Sequence, residues 1–277
     1  MTFGGRDISV SFGDASALNG VDLTAHAGEV TAIVGGDGVG KTTLLRVLVG
    51  LVEPSSGIVA TPRVEEIGYL PALGGSWKDL TVAQNVSFVG GAHGLEGDEL
   101  ASRAEPLLAM AALDSVADRL AGQLSGGMRT KLGFVLAMLH RPRLVVLDEP
   151  TTGIDPVSRV ELWRMISDAA AGGAAVVMST TYMDEAERAN SVVMLNGGRS
   201  LFQGPPGAVV ASLEGVITAT PSPTRFEYAW RSGSTFREWW PPGTDPVGDR
   251  IEPSLEDVTV VAELRAGLAI ADTKASA

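Results

Sequence analysis

Gly35-Gly36-Asp37-Gly38-Val39-Gly40-Lys41-Thr42 is the stretch on which the reading of this chain turns. It fits G-x-x-x-x-G-K-[ST], and its surroundings are those the pattern requires. Before it, Val30 to Val34 is a continuous apolar run, as expected of a strand covered on both faces. After it comes a predicted helix in which Leu44, Leu45, Leu48 and Val49 share a face and Gly50 supplies a stop. Glycines let backbone N–H groups converge on phosphate oxygens, and the following helix presents its positive end. In such a loop Lys41 reaches the β- and γ-phosphates and the Thr42 hydroxyl binds Mg²⁺. The bland alternative is a glycine-rich turn that happens to precede a lysine. A strand before and a helix after argue against it.

Leu144 to Leu147 is a second buried run, and it ends in Asp148-Glu149. A carboxylate at the tip of a buried strand can hold a magnesium-bound water, and the next can polarise an attacking water. Alone, such a pair reads as a strand-end cap; with a phosphate loop upstream, the functional reading dominates. Ile8 to Phe12 and Val21 to Ala25 read as short strands separated by a turn, and Ala175 to Ser179 and Val192 to Leu195 as further strands. Asp98 to Met110 is a predicted peripheral helix. Asp155-Pro156 starts another, cap then proline, running to about Gly172. Strands alternating with helices predict a parallel α/β core.

Composition narrows the partners. Lys+Arg 21 against Asp+Glu 33 gives a formal net charge of -12 over 277 residues, which argues against nucleic acid as a partner. Any basic site must be local. Cys is 0, which removes disulfides, thiolate zinc sites and cysteine nucleophiles. His26, His93 and His140 are scattered along the chain and read as surface or internally satisfied residues. No stretch approaches the roughly 18 to 20 apolar residues that span a bilayer, and Met1 to Arg6 does not open a signal peptide. The expectation is a chain that reaches a membrane only by docking.

After Gly204-Pro205-Pro206-Gly207 the character changes. Phe226, Tyr228, Trp230, Phe236, Trp239 and Trp240 crowd together, although aromatics are 5% of the chain. They form either a small core or a binding surface, and the core reading is the stronger. The expected organisation is a main domain over 1–207, a small add-on domain over 208–265 and a flexible tail over 266–277.

Ser125-Gly126-Gly127, with Ser125 as a cap for a helix carrying Met128, Leu132, Val135, Leu136 and Leu139, can form a second anion-sized site at a helix start, though by itself S-G-G reads as a common loop. Leu124-Ser125-Gly126-Gly127-Met128, set before Leu144 to Glu149, resembles the signature of ABC ATPases. Gly28-Glu29-Val30, Asp148-Glu149-Pro150-Thr151-Thr152-Gly153-Ile154-Asp155-Pro156 and Ser179 to Ala186 extend the resemblance over nearly all of residues 6 to 204. It implies a P-loop NTPase of ABC type: an α/β fold with a parallel core sheet, antiparallel β and helical subdomains, and here a small C-terminal extension. It also implies ATP and Mg²⁺ as cofactors. Phe12 and Gly35, Gly36, Asp37, Gly38, Val39, Gly40, Lys41, Thr42 and Thr43 would bind ATP. Thr42 and Asp148 would hold the metal, and Glu149 would be the base. In that family two such domains pair head to tail, so Ser125, Gly126 and Gly127 would act in trans and Asp155 would lie at the dimer seam. Phe12 would stack on adenine; otherwise it reads as an edge-strand core residue.

The resemblance further implies a subunit that couples ATP hydrolysis to an integral-membrane ABC permease, at the cytoplasmic face of the inner membrane. The pairing would be a homodimer or a heterodimer with a second ABC ATPase. Leu124 to Arg159 looks most like ATP-binding subunits of bacterial exporters with ABC-2 type permeases, and like the first ATPase half of related tandem proteins. Pro253 to Val258 resembles the closing motif of their C-terminal extension, and Gly74 to Leu80 corresponds to where the family meets its permease. Two positions depart from the pattern. Ala72 stands where the family has a glutamine near the metal and attacking water, and Thr181 where it has a histidine on the γ-phosphate. The alternative function that follows is a hydrolytically weak partner that clamps ATP beside a more active ATPase.

Overall fold

The structure, a computed structural model, describes residues 1–72 and 74–275, with side chains of the last helix followed to Arg265. The chain divides into two units, Met1–Leu201 and Phe202–Ala277. Among the described residues no helix is long and apolar enough to cross a membrane.

The first unit opens with β1 (Thr2–Phe12) and β2 (Ala15–His26), an antiparallel hairpin turning at Gly13-Asp14. The strands are longer than the expected Ile8 to Phe12 and Val21 to Ala25, and most of the turn expected between them is strand. Register shifts between Gly5 and Ile8, Ile8 and Val10, and Val10 and Ser11 absorb the polar and glycine residues that broke the alternation. Next come β3 (Val30–Val34), α1 (Lys41–Leu48), β4 (Ser56–Ala60) and β5 (Ile67–Leu70). Then follow α2 (Val82–Ala92), α3 (Gly97–Met110) and α4 (Gly126–Met138). The unit continues with β6 (Leu144–Leu147), α5 (Pro156–Ala171), β7 (Ala175–Ser179), α6 (Met183–Ala186), β8 (Ser191–Asn196) and β9 (Arg199–Gly204), within which the division falls.

Two sheets result. One is antiparallel, in the order β2-β1-β4. The other runs β5-β6-β7-β3-β8-β9, with β5 through β8 parallel. Every residue of β3, β6 and β7 is buried, which accounts for their unbroken apolar sequences. Ile8, Leu18, Ile33, Leu44, Leu45 and Val177 belong to one core cluster, so α1 is gripped between the two sheets. Its first turn is thereby fixed where the phosphate loop needs it.

The second unit contains α7 (Pro206–Ala211), β10 (Val216–Thr220), β11 (Ala229–Ser232), β12 (Thr235–Trp240), β13 (Asp249–Ile251) and α8 (Leu255–Ala275). Its sheet is antiparallel, in the order β11-β12-β10-β13. Ile217, Trp239 and Val261 form a small core against which Leu213, Tyr228, Trp230 and Ile251 pack. Most of the aromatic crowd is therefore interior, whereas Phe226 is 72% exposed. Glu238 is buried, but hydrogen bonds from Thr224 and Arg225 outweigh that burial and hold its carboxyl below the usual range. Helix α8 passes through the 265/266 boundary expected for a tail, being helical to Ala275, and residues 276–277 lie outside the described residues.

Candidate nucleotide-binding site

The site grows from the strand order. β7 lies between β6 and β3, so the loop after β3 and the carboxylates after β6 face each other across the end of β7. Ligands of such sheets bind beyond the carboxyl ends of the strands. Gly40 caps α1 with φ 105, and a Cβ there would stand 2.7 Å from the Ala17 carbonyl oxygen. Only glycine fits. Lys41, 5% exposed, turns its ammonium back into the loop and donates to the carbonyls of Gly35 and Gly36, each at 2.9 Å. Its Nζ is also 3.9 Å from Glu149 Oε1.

Asp148 is the hub on the opposite side. Its Oδ1 accepts from Thr42 Oγ1 at 3.1 Å and from Ser179 Oγ at 2.9 Å. Ser179 Oγ in turn accepts from the Glu149 N–H at 2.8 Å. Glu149 sits in the left-handed region at φ 47, unusual for a residue with a side chain, and Thr152 Oγ1 donates to its Oε2 at 3.3 Å. The Glu149 backbone is thus kept in a strained conformation, with its N–H fixed by Ser179. The sequence marked Ser179 as a strand end and as the start of the Ser179 to Ala186 segment, but not its bonds to Asp148 and Glu149, which depend on which strands are neighbours.

Asp37, Gly38, Gly40, Lys41, Thr42 and Thr43, with Ala17 and Glu149, line a cleft of about 170 Å³. Gly35 and Gly36 contribute through their carbonyls, and Val39 packs partly buried against the core. Phe12 is 57% exposed at the end of β1, so it is not a core residue, and it does not line this cleft. Thr42 and Asp148 offer two hard oxygens in contact, a donor pair that suits Mg²⁺.

Ser125, Gly126 and Gly127 form a separate group with Asp155. Ser125 Oγ accepts from the Met128 N–H at 3.2 Å, the predicted cap of α4. Gly127 is buried against the start of α5: a Cβ there would collide with the Ser158 side chain and lie 3.3 Å from Asp155 Oδ2. Gly126 is exposed beside them. Asp155 caps α5, its Oδ1 accepting from the N–H groups of Val157 at 3.1 Å and Ser158 at 3.0 Å. Ser158, through its hydroxyl and its backbone, holds the Asp155 carboxyl below the usual range. Ser125, Gly126, Gly127 and Asp155 do not line the cleft with Lys41.

Ala72 and Thr181 are exposed. Tyr182, next to Thr181, has the Arg159 guanidinium over its ring, 3.9 Å from the centroid. Two further relationships were not legible in the sequence. His93 and His140 stack with ring centroids 3.9 Å apart, and Glu185 is buried among Thr151, Thr180 and Arg159.

A glycine loop fed by a buried strand, its lysine folded back at a helix start, and carboxylates ending a nearby strand define a P-loop ATP-binding domain. Residues 18–152 match the family described as ABC transporter. The probable multidrug ABC transporter ATP-binding protein YbhF of Escherichia coli K12 is 39% identical over 73% of this chain, which spans only 37% of that relative's length. Nod factor export ATP-binding protein I of Burkholderia lata is 34% identical, over 75% of this chain and 72% of its own. The chain belongs to the ABC transporter ATP-binding proteins. A solved ATP-binding subunit of an ABC transporter superposes with a TM-score of 0.70 at 27% identity, covering 76% of this chain and 92% of that one. The cbiO1 protein of Clostridium perfringens, part of the cbiONQ transporter complex, gives 0.66 at 27% identity, covering 76% and 90%.

Proposed function

We propose that this chain is the ATP-binding subunit of an ABC exporter, pairing head to tail and driving a separate membrane permease from the cytoplasmic face. The observation that carries the proposal is the Lys41 ammonium at the mouth of the α1 turn, with Asp148 and Glu149 opposite it. Phosphate oxygens can replace the carbonyls of Gly35 and Gly36 as partners of Lys41, while the loop N–H groups and the helix end attract the same charge. Mg²⁺, when bound, neutralises charge on the phosphates; Thr42 and Asp148 would hold it. Glu149 would orient and deprotonate the attacking water, and Phe12 would offer its exposed face to adenine.

Head-to-tail pairing is supported by the separation of Ser125–Gly127 and Asp155 from the Lys41 cleft. Gly127 packs against the α5 cap, so signature and seam would move as one surface. Docking to a permease is supported by Trp77 and Phe88, exposed aromatics meeting edge to face at 4.6 Å, with the Trp77 backbone pinned by buried Asn85. Export as the direction rests on the names of the relatives.

A second reading is favoured by Ala72 and Thr181. Neither supplies the hydrogen-bonding group that the family places there, so the site would bind ATP normally and hydrolyse it slowly. The chain would then serve mainly as a clamp, in a homodimer or beside a more active ATPase. Titrating Mg-ATP into the parent and Lys41→Ala tests the shared core of both readings. Affinity should fall below detection in the variant; unchanged affinity would remove the phosphate-loop assignment.

A further inference from the structure

Glu185 has no exposed surface, and its carboxylate is matched by partners from three segments. Oε2 accepts from Thr151 Oγ1 at 2.8 Å and from Thr180 Oγ1 at 2.6 Å, and Oε1 accepts from Arg159 Nε at 2.7 Å. A buried carboxylate without such partners would be strongly destabilising, and a leucine would fill the space without that risk. The partners themselves indicate what the charge does. Thr151 is two residues beyond Glu149. Thr180 follows Ser179, which holds Asp148 and the Glu149 N–H, and precedes Thr181. Arg159 belongs to the first turn of α5, its N–H bonded to the Asp155 carbonyl at 3.0 Å. The Arg159 guanidinium also lies over the Tyr182 ring and reaches Asp184 at 3.7 Å.

We propose that Glu185 is a positioning residue that binds the Glu149 segment, the Thr180-Thr181 segment and the first turn of α5 into one body. A shift of Asp155 at the pairing surface then moves the base and the γ-phosphate side of the site together. This rests on the reading of Asp155 as a seam residue and Glu149 as the base. Because Thr181 is shorter than the family's histidine, the placement of its segment falls to the buried knot more than to contact with nucleotide.

Amide hydrogen exchange tests the knot without requiring turnover. The N–H groups of Thr152, Tyr182 and Arg159 are bonded to Glu149, Thr180 and Asp155 respectively, and so report on the three segments. In nucleotide-free Glu185→Gln, exchange at all three should rise together by about tenfold or more, as loss of a charge-assisted bond implies, with β3 and α1 unchanged. A rise at one segment only, or none, overturns the proposal. Should that variant fail to fold, Arg159→Gln removes one arm at a partly exposed side chain and carries the same expectation. With Mg-ATP, both variants should keep parental protection over 35–42 and parental affinity, while kcat falls about tenfold and KM stays. A fall in affinity matching the fall in kcat would mark a merely structural residue. Absence of ATP protection over 35–42 in the parent would count against the ATP-site reading, while the nucleotide-free comparison still decides the knot.

Discussion

Lys41 Nζ and Glu149 Oε1 stand 3.9 Å apart, one at the start of α1 and the other just past β6. The cation that would grip the phosphates and the anion that would act on the attacking water face each other across the cleft. Glu149 therefore attracts Lys41 away from a phosphate and also repels the phosphate itself. Glu149→Gln should bind Mg-ATP at least as tightly as the parent, and lower turnover by about 100-fold or more. Fluorescence titration with phosphate release checks both. Turnover at the parental rate would show that Glu149 is not the base.

Ser125 should matter in the partner's site. Ser125→Arg removes the α4 cap, worth about 1 kcal/mol, and lowers the thermal midpoint by a few degrees. Binding of ATP to the isolated chain should survive, while ATP-driven pairing and turnover fall together. Light scattering with and without Mg-ATP separates the two. Loss of binding by the monomer would place Ser125 in its own chain's site.

The stacked histidines predict an acid-sensitive fold. Burial pushes His140 down to about 4 and lowers His93 as well, while His140 Nε2 contacts the Ile67 carbonyl at 3.1 Å and Nδ1 is buried with no hydrogen-bond partner among the described residues. An unfolded histidine titrates near 6.5, so between about 6.5 and 4 the unfolded chain binds more protons than the folded one. Stability from His140 is complete above that window and falls as pH drops through it, by roughly 2 kcal/mol after allowance for solvent. His140→Leu should flatten the thermal midpoint between pH 7 and pH 5 relative to the parent. Equal slopes in the two proteins would refute this.

What the sequence revealed follows physical range. The β3–loop–α1 unit was legible because a buried strand, a glycine loop and an apolar helix face are all local signals. The caps Ser125 and Asp155 were legible for the same reason. The hairpin was harder to read, since its bulges disguise the two-residue alternation over Gly5 to Ser11. Helix α2 was not anticipated; Gly90 and Gly91 near its end weaken the helical pattern, and its capping box at Thr81 and Gln84 was the available sign. The bonds of Ser179 depend on β6 and β7 being neighbours, and those of Glu185 and the His93–His140 stack on packing between segments. Apart from the Thr180–Glu185 bond, they join residues far apart in the chain and leave no local trace.

In the clamp reading proposed above, the site would bind ATP with its full loop and hydrolyse it without the family's glutamine and histidine. Turnover per site by the purified chain at saturating Mg-ATP, alone and with Ala72→Gln and Thr181→His combined, tests this most directly. A hydrogen bond to developing phosphoryl charge is typically worth about 100-fold in rate. The parent should be slow with near-normal affinity, and the double change should raise the rate beyond either single change, because both act on one transition state. Brisk hydrolysis by the unmodified chain as a homodimer, with no gain from the double change, would contradict the clamp reading and leave Glu149 with the phosphate loop as sufficient.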